Sequence, residues 1–136
     1  MSGAPYPKRR VSKDHGRIAA SILVVDDDPT FRRLARLLLA AHGLAVVAEA
    51  GTVADGLSAA EQVRPTGALV DVELPDGDGF TLARALSGMS WSPRVVVTSA
   101  QSGRHFPAEA ERSGAEAFVH KADLPRAPLA TLLNGA

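Results

Sequence analysis

From Ser21 onward the chain alternates five short runs of Val, Leu, Ile and Ala with longer stretches of helical character. That alternation restricts it to an α/β domain on a parallel sheet, because parallel strands need a crossover connection and a helix is the usual one. Ile22-Leu23-Val24-Val25 reads as a buried first strand, after which Asp28-Pro29 supplies a helix cap followed by proline at the first helical position. The helix is expected to bury Phe31, Leu34, Leu38 and Ala41 on one side, to leave Arg32, Arg33 and Arg36 as a solvated face, and to end near Gly43.

The other four units follow the same grammar. Ala45–Ala48 forms a second strand, and Thr52 with Asp55 opens a helix that Arg64-Pro65 stops near Val63. Ala68-Leu69-Val70-Asp71 is the third strand, with a turn over residues 75–79 and a helix from about Phe80 to Leu86. Arg94–Thr98 is the fourth strand, followed by a helix from near Pro107, and Ala115–Val119 is the fifth. Pro125 and Pro128 confine the last regular helix to about residues 125–133, and to little more than its final turns. Trp91 is expected to fold onto its own domain.

Composition narrows the function classes. The 136 residues suit one domain with one core, and 4% aromatic content means a core of Leu, Val and Ala. There are no cysteines, so disulfide frameworks and thiolate metal sites are excluded. No apolar run approaches the ~18 residues of a membrane span, and a secretory signal is lacking, so a soluble cytoplasmic protein is expected. Residues 1–20 carry five basic side chains against Asp14, a net of +4, and read as a disordered leader or cloning remnant. Residues 21–136 carry ten basic and fourteen acidic side chains, a net of −4, which argues against this domain itself gripping nucleic acid.

Strands that all point one way share a C-terminal edge, which is where ligands bind in such sheets. The strand ends bring Asp26-Asp27-Asp28, Asp71, Thr98 and His120-Lys121 to that edge. Clustered carboxylates raise one another's pKa and call for a cation, and hard oxygen ligands suit Mg²⁺. Asp71 is then a candidate carboxylate nucleophile for a phosphoryl group, with Thr98 and Lys121 able to meet the phosphoryl oxygens. Residues 21–136 contain nine arginines but one lysine, and that lysine is Lys121, at the expected site. Asp28 is read as a helix cap, and His42 and His120 as surface or partly buried side chains rather than ligands.

These motifs, Ile22–Pro29, Leu69–Pro75 with Asp78-Gly79, Val97-Thr98 and Gly114–Lys121, resemble the receiver domain of bacterial two-component response regulators over about residues 21–133. The spacings of 44, 27 and 23 residues from Asp27 through Asp71 and Thr98 to Lys121 carry the likeness. The resemblance implies a flavodoxin-like (βα)5 fold with strand order 2-1-3-4-5 and helices on both faces. It implies Asp71 as phosphoacceptor, a Mg²⁺ site of Asp26, Asp27, Asp71 and the Glu73 carbonyl in which Asp27 is a direct ligand and Asp26 an outer-shell acid, and catalytic help from Thr98 and Lys121. Thr98 and Phe118 correspond to the family's switch pair. A histidine kinase, a phosphotransfer protein or acetyl phosphate would be the donor, and the chain would catalyse its own phosphorylation and a slow hydrolysis of the product.

Some positions depart from the family pattern. Ala122 stands where proline is common, and Ser99 where alanine is usual. The proline-broken last helix leaves homodimerisation open. The chain reads as a stand-alone regulator or as the amino-terminal piece of a longer one with an effector. Two alternatives remain: a phosphorylation-independent pseudo-receiver that binds partners, and a haloacid-dehalogenase-type phosphatase using Asp26 and Asp28 of the Asp-x-Asp-x-Thr pattern.

Overall fold

A computed structural model describes residues 20–135; the expected leader, apart from Ala20, lies outside the described residues. Five strands form one parallel sheet: β1 (Ser21–Val25), β2 (Ala45–Ala50), β3 (Gly67–Asp71), β4 (Arg94–Ser99) and β5 (Ala117–His120). Their order is 2-1-3-4-5, the flavodoxin-like arrangement the sequence led us to expect. The crossovers are α1 (Pro29–Ala41), α2 (Val53–Val63), α3 (Gly79–Ser87) and α4 (Phe106–Arg112), and α5 (Leu129–Asn134) follows β5.

The near-continuous apolar strands are explained by burial on both faces. Leu23, Val25, Val70, Val95 and Val97 point to one side, against Ala59 and Ala60 of α2, Leu82 and Leu86 of α3 and Ala110 of α4. Ile22, Val24, Leu69 and Val96 point to the other, against Ala35 and Leu39 of α1 and Leu129 and Leu133 of α5. Burying a Leu or Val side chain contributes roughly 1.5–3 kcal/mol each, so this three-layer sandwich is the main source of stability. No helix among the described residues is long and apolar enough to cross a membrane.

Helix starts fall where the capping chemistry puts them. Asp28 accepts a hydrogen bond from the Thr30 amide at 2.9 Å, and Thr52 accepts one from the Asp55 amide at 3.0 Å. Trp91 donates its indole N–H to the Pro65 carbonyl at 2.9 Å, folded onto its own domain as expected.

The structure departs from expectation in three places. In α1 the buried stripe is Phe31, Ala35, Leu38 and Leu39, so Ala41 is exposed and Leu34 is 59% exposed. The helix is rolled further toward Ala35 and Leu39 than the Leu34-centred stripe assumed. Arg32 and Arg36 are not simply solvated, since both guanidinium groups bond to the Glu49 carboxylate on β2. The fifth strand begins at Ala117, because the Ala115 amide is taken by the Ala110 carbonyl at the end of α4. The last helix is reduced to its final turn and a half, as the prolines led us to expect: α5 starts at Leu129, beyond Pro128, and around Pro125 the chain forms a 3-10 turn, Lys121–Arg126. The missing proline N–H groups exclude one continuous helix. A two-residue hairpin, Glu73–Leu74 with Gly77–Asp78, was also not foreseen in the turn after β3.

Candidate phosphoryl-transfer site

Strand register places the reactive groups. β1 pairs with β3 so that Val25 lies opposite Val70, which sets Asp26 and Asp71, one residue further on each strand, side by side. Asp71 lies opposite Thr98 on β4, and Ser99 opposite His120 on β5, so Lys121 follows directly at the same edge. Carboxylate oxygens of Asp26, Asp27 and Asp71 all lie within 4.8 Å of one another. Asp26 is 1% exposed and Asp71 is buried, while Asp27 faces solvent.

The surroundings of Asp26 account for a buried acid. Its Oδ1 accepts the Asp28 amide at 2.9 Å, and its Oδ2 accepts the Lys121 ammonium at 2.7 Å. Its carbonyl oxygen accepts Arg32 Nη1 at 2.6 Å. Lys121 Nζ stands 3.9 Å from the centre of the Phe31 ring and 3.9 Å from Asp71 Oδ1, so the ammonium is closer to Asp26 than to Asp71. Burial, then the neighbouring Asp26 charge, pushes the Asp71 carboxyl up to about 6; Lys121 opposes this, while Asp27 and Glu73 add to it. The three acids therefore carry more negative charge than one ammonium balances, and their hard oxygen donors fit a small divalent cation.

Two features shape the pocket floor. Gly79 begins α3 directly beneath Asp71, where an added Cβ would stand 2.1 Å from the Asp71 carbonyl oxygen. The Gly79 amide donates to the Val72 carbonyl at 2.7 Å, and the Val72 amide to the Thr98 carbonyl at 2.9 Å. Glu73, whose carbonyl was expected at the metal, lies in the hairpin after β3 with its side chain exposed.

The expected switch residues lie on the far side of Asp71. Thr98 is buried, and its hydroxyl donates to the Val119 carbonyl at 2.6 Å, so in this state its hydrogen goes to β5. Phe118 is half-buried with its ring 5.2 Å from that of Phe106, and it lines a groove of about 380 Å³ with Ser102, Arg104, His120 and Asp123. His120 accepts the Ala122 amide on Nδ1 and is not among the grouped acids.

Asp71, Asp26, Asp27, Lys121 and Thr98 thus meet at one edge, with Phe118 beside them. Phe31, Arg32 and Gly79 were not foreseen as part of the site. The Asp78-Gly79 pair carried a usable signal, since glycine straight after a helix-capping acid can mark a close backbone approach; nothing local pointed to Phe31.

The sequence model described as "response regulator receiver domain" matches residues 22–131. The chain belongs to that family. The receiver is 36% identical over 101 residues to the DNA-binding transcriptional activator DevR/DosR of Mycobacterium tuberculosis, which covers 74% of this chain and 46% of the relative. It is 28% identical over 104 residues to the chemotaxis protein CheY of Bacillus subtilis, covering 76% and 87%. Among solved structures, a LuxR-family two-component response regulator from Aurantimonas superposes with a TM-score of 0.73 at 28% identity, covering 79% of each chain. The matches to the transcriptional regulators of Pseudomonas, Bordetella and Mycobacterium span less than half of those proteins. The phosphatase alternative gains no support: Asp28 is an exposed helix cap, and the acids grouped with Asp26 are Asp27 and Asp71.

Proposed function

We propose that this receiver accepts a phosphoryl group on Asp71, from a histidine kinase, a phosphotransfer protein or a small donor such as acetyl phosphate, and signals through a change at Thr98 and Phe118. The observation that carries the reading is the buried Asp71 within 4.8 Å of the Asp26 and Asp27 oxygens, with Lys121 at the same edge. Asp26, Asp27, Asp71 and the Glu73 carbonyl would hold Mg²⁺, whose charge, when bound, would offset that of the phosphoryl oxygens.

The chain's own groups divide the remaining work. One carboxylate oxygen of Asp71 forms the bond to phosphorus as the bond from phosphorus to the donor breaks. With a phosphohistidine donor the electron pair stays on the imidazole nitrogen, which takes up a proton; with acetyl phosphate, acetate leaves. Lys121, now bonded to Asp26, needs only a short shift to meet an oxygen of the group on Asp71, where its compact ammonium acts as a point charge. Thr98 can turn its hydroxyl from Val119 toward the same group, which leaves Phe118 free to move against Phe106.

Intact mass after incubation with acetyl phosphate and Mg²⁺ tests the reading. Wild type should gain about 80 Da, one phosphoryl group in place of a proton, and the gain should vanish in Asp71→Asn and with EDTA. An unlabelled wild type would favour a phosphorylation-independent interaction module.

A further inference from the structure

The first turn of α2 is capped from two places in the chain. Thr52, the local cap, takes only the Asp55 amide with its side chain. The two preceding amides reach across to the hairpin after β3, where Asp76 accepts Val53 N–H on Oδ1 at 2.7 Å and Ala54 N–H on Oδ2 at 3.1 Å. Both oxygens of one carboxylate are thus spent on a helix end more than 20 residues away in sequence. A helix start can be capped by its own neighbours, so this long-range arrangement fixes something besides α2.

What it fixes is the segment that leaves Asp71. Residues 72–79 are held at their base by the Gly79 amide on the Val72 carbonyl, and across the middle by pairing of Glu73 with Asp78 and Leu74 with Gly77. Asp76 holds the tip. On its other side the start of α2 adjoins the acid loop, since a methyl placed on Gly51 would stand 3.8 Å from the Asp27 Cα and 3.9 Å from the Asp26 carbonyl oxygen. The loop carrying Glu73 and the loop carrying Asp26 and Asp27 are therefore both referenced to one helix end.

We infer that Asp76 is a positioning residue for the cation site, latching the Glu73 loop to α2 so that the Glu73 carbonyl and the Asp26–Asp27 carboxylates keep a fixed separation. The inference rests on the reading that Mg²⁺ binds there. Groups that orient metal ligands without touching the metal commonly change affinity about 10-fold to 100-fold. With two other attachments left on the hairpin, Asp76→Ala should weaken Mg²⁺ by roughly 10-fold, at the low end of that range.

Isothermal titration with MgCl₂ on the full chain, with circular dichroism to verify folding, decides the matter. Asp76→Ala should bind Mg²⁺ about tenfold more weakly, and Asp76→Asn, whose amide oxygen retains one of the two bonds, should recover part of the loss. Thr52→Ala removes a cap from the same helix without touching the hairpin; it should lower the melting temperature yet bind Mg²⁺ within about twofold of wild type. Equal weakening in Asp76→Asn and Asp76→Ala would mean that Asp76 acts through charge alone, and equal weakening in Thr52→Ala that only helix stability matters; either overturns the inference. Unchanged affinity in Asp76→Ala overturns it while leaving the cation site standing. A wild type that does not bind Mg²⁺ removes both.

Discussion

On the side of β1 and β3 the reactive edge is tied down atom by atom, whereas on the side of β4 and β5 its groups rest on contacts that can be exchanged. Asp26 is bonded through Oδ1 to the Asp28 amide and through its carbonyl to Arg32, and the backbone beyond Asp71 is pinned over Gly79. Across the pocket, the Thr98 side chain makes one hydrogen bond, to Val119, and Phe118 leans on Phe106 beside an open groove. The helix that follows β4 is seven residues long and its N-cap, His105, makes no side-chain capping bond. The proposed role, holding a cation and then signalling, would need both behaviours: the acids preorganised, and a neighbouring element with two arrangements of similar energy.

The contrast is most easily broken with two glycines. Alanine at Gly79 places a methyl 2.1 Å from a backbone oxygen, which can move only by shifting the Asp71 strand end, and should cost about 3 kcal/mol, the upper range of ordinary overpacking. Alanine at Gly103 meets the Phe106 ring at 2.8 Å, a side chain rather than backbone, so the clash can be relieved without moving a strand and the cost should stay at about 1 kcal/mol. Urea unfolding of the two variants measures the difference. Equal losses would mean that both sides are equally rigid.

A smaller effect of opposite sign is expected at Asp71. Its carboxyl is raised from 3.8 to about 6, so the folded state favours the protonated acid, and stability falls as pH rises between those values. Asp71→Asn removes that burden. In EDTA at pH 7 the variant should be more stable than wild type by roughly 1–2 kcal/mol, the full shift being discounted for water at the open edge. Below about pH 3 the two should converge, because the wild-type acid is then protonated in both states. Urea midpoints across this range give the answer, and a gap that persists at low pH would assign the gain to packing instead.

Legibility did not follow that contrast, because the reactive groups of both sides could be read equally well. Asp26, Asp71, Thr98 and Lys121 could be read from the sequence because each lies within one residue of the C-terminal end of a strand, and parallel topology brings strand ends to one edge whatever the loops do. The contacts that hold them could not. The Lys121 to Asp26 bond closes over 95 residues, and the Phe31 ring beneath Lys121 depends on how far α1 is rolled, which the apolar pattern misplaced at Leu34. Asp76 looked like an ordinary turn residue in Pro75–Gly79, since its partners lie on another helix. The 3-10 turn after β5 was half visible: the prolines excluded a long helix without specifying what replaces it.

The finest test of the contrast is Thr98→Val, which keeps the shape of the side chain and removes its hydroxyl. The Val119 carbonyl loses the Thr98 donor, so the loss should be about 1 kcal/mol, that of a single hydrogen bond from a buried hydroxyl to a half-buried strand. If the two sides of the edge are built separately, that loss should stay on its own side. Amide exchange should quicken in β5 around Phe118, while the Asp28 amide, held by Asp26, and the Mg²⁺ affinity should not change. A weaker Mg²⁺ site in Thr98→Val would show that the acids lean on β4 through the Val72 to Thr98 backbone bond more than the separate tethering of each side implies, and the edge would then have to respond as one piece.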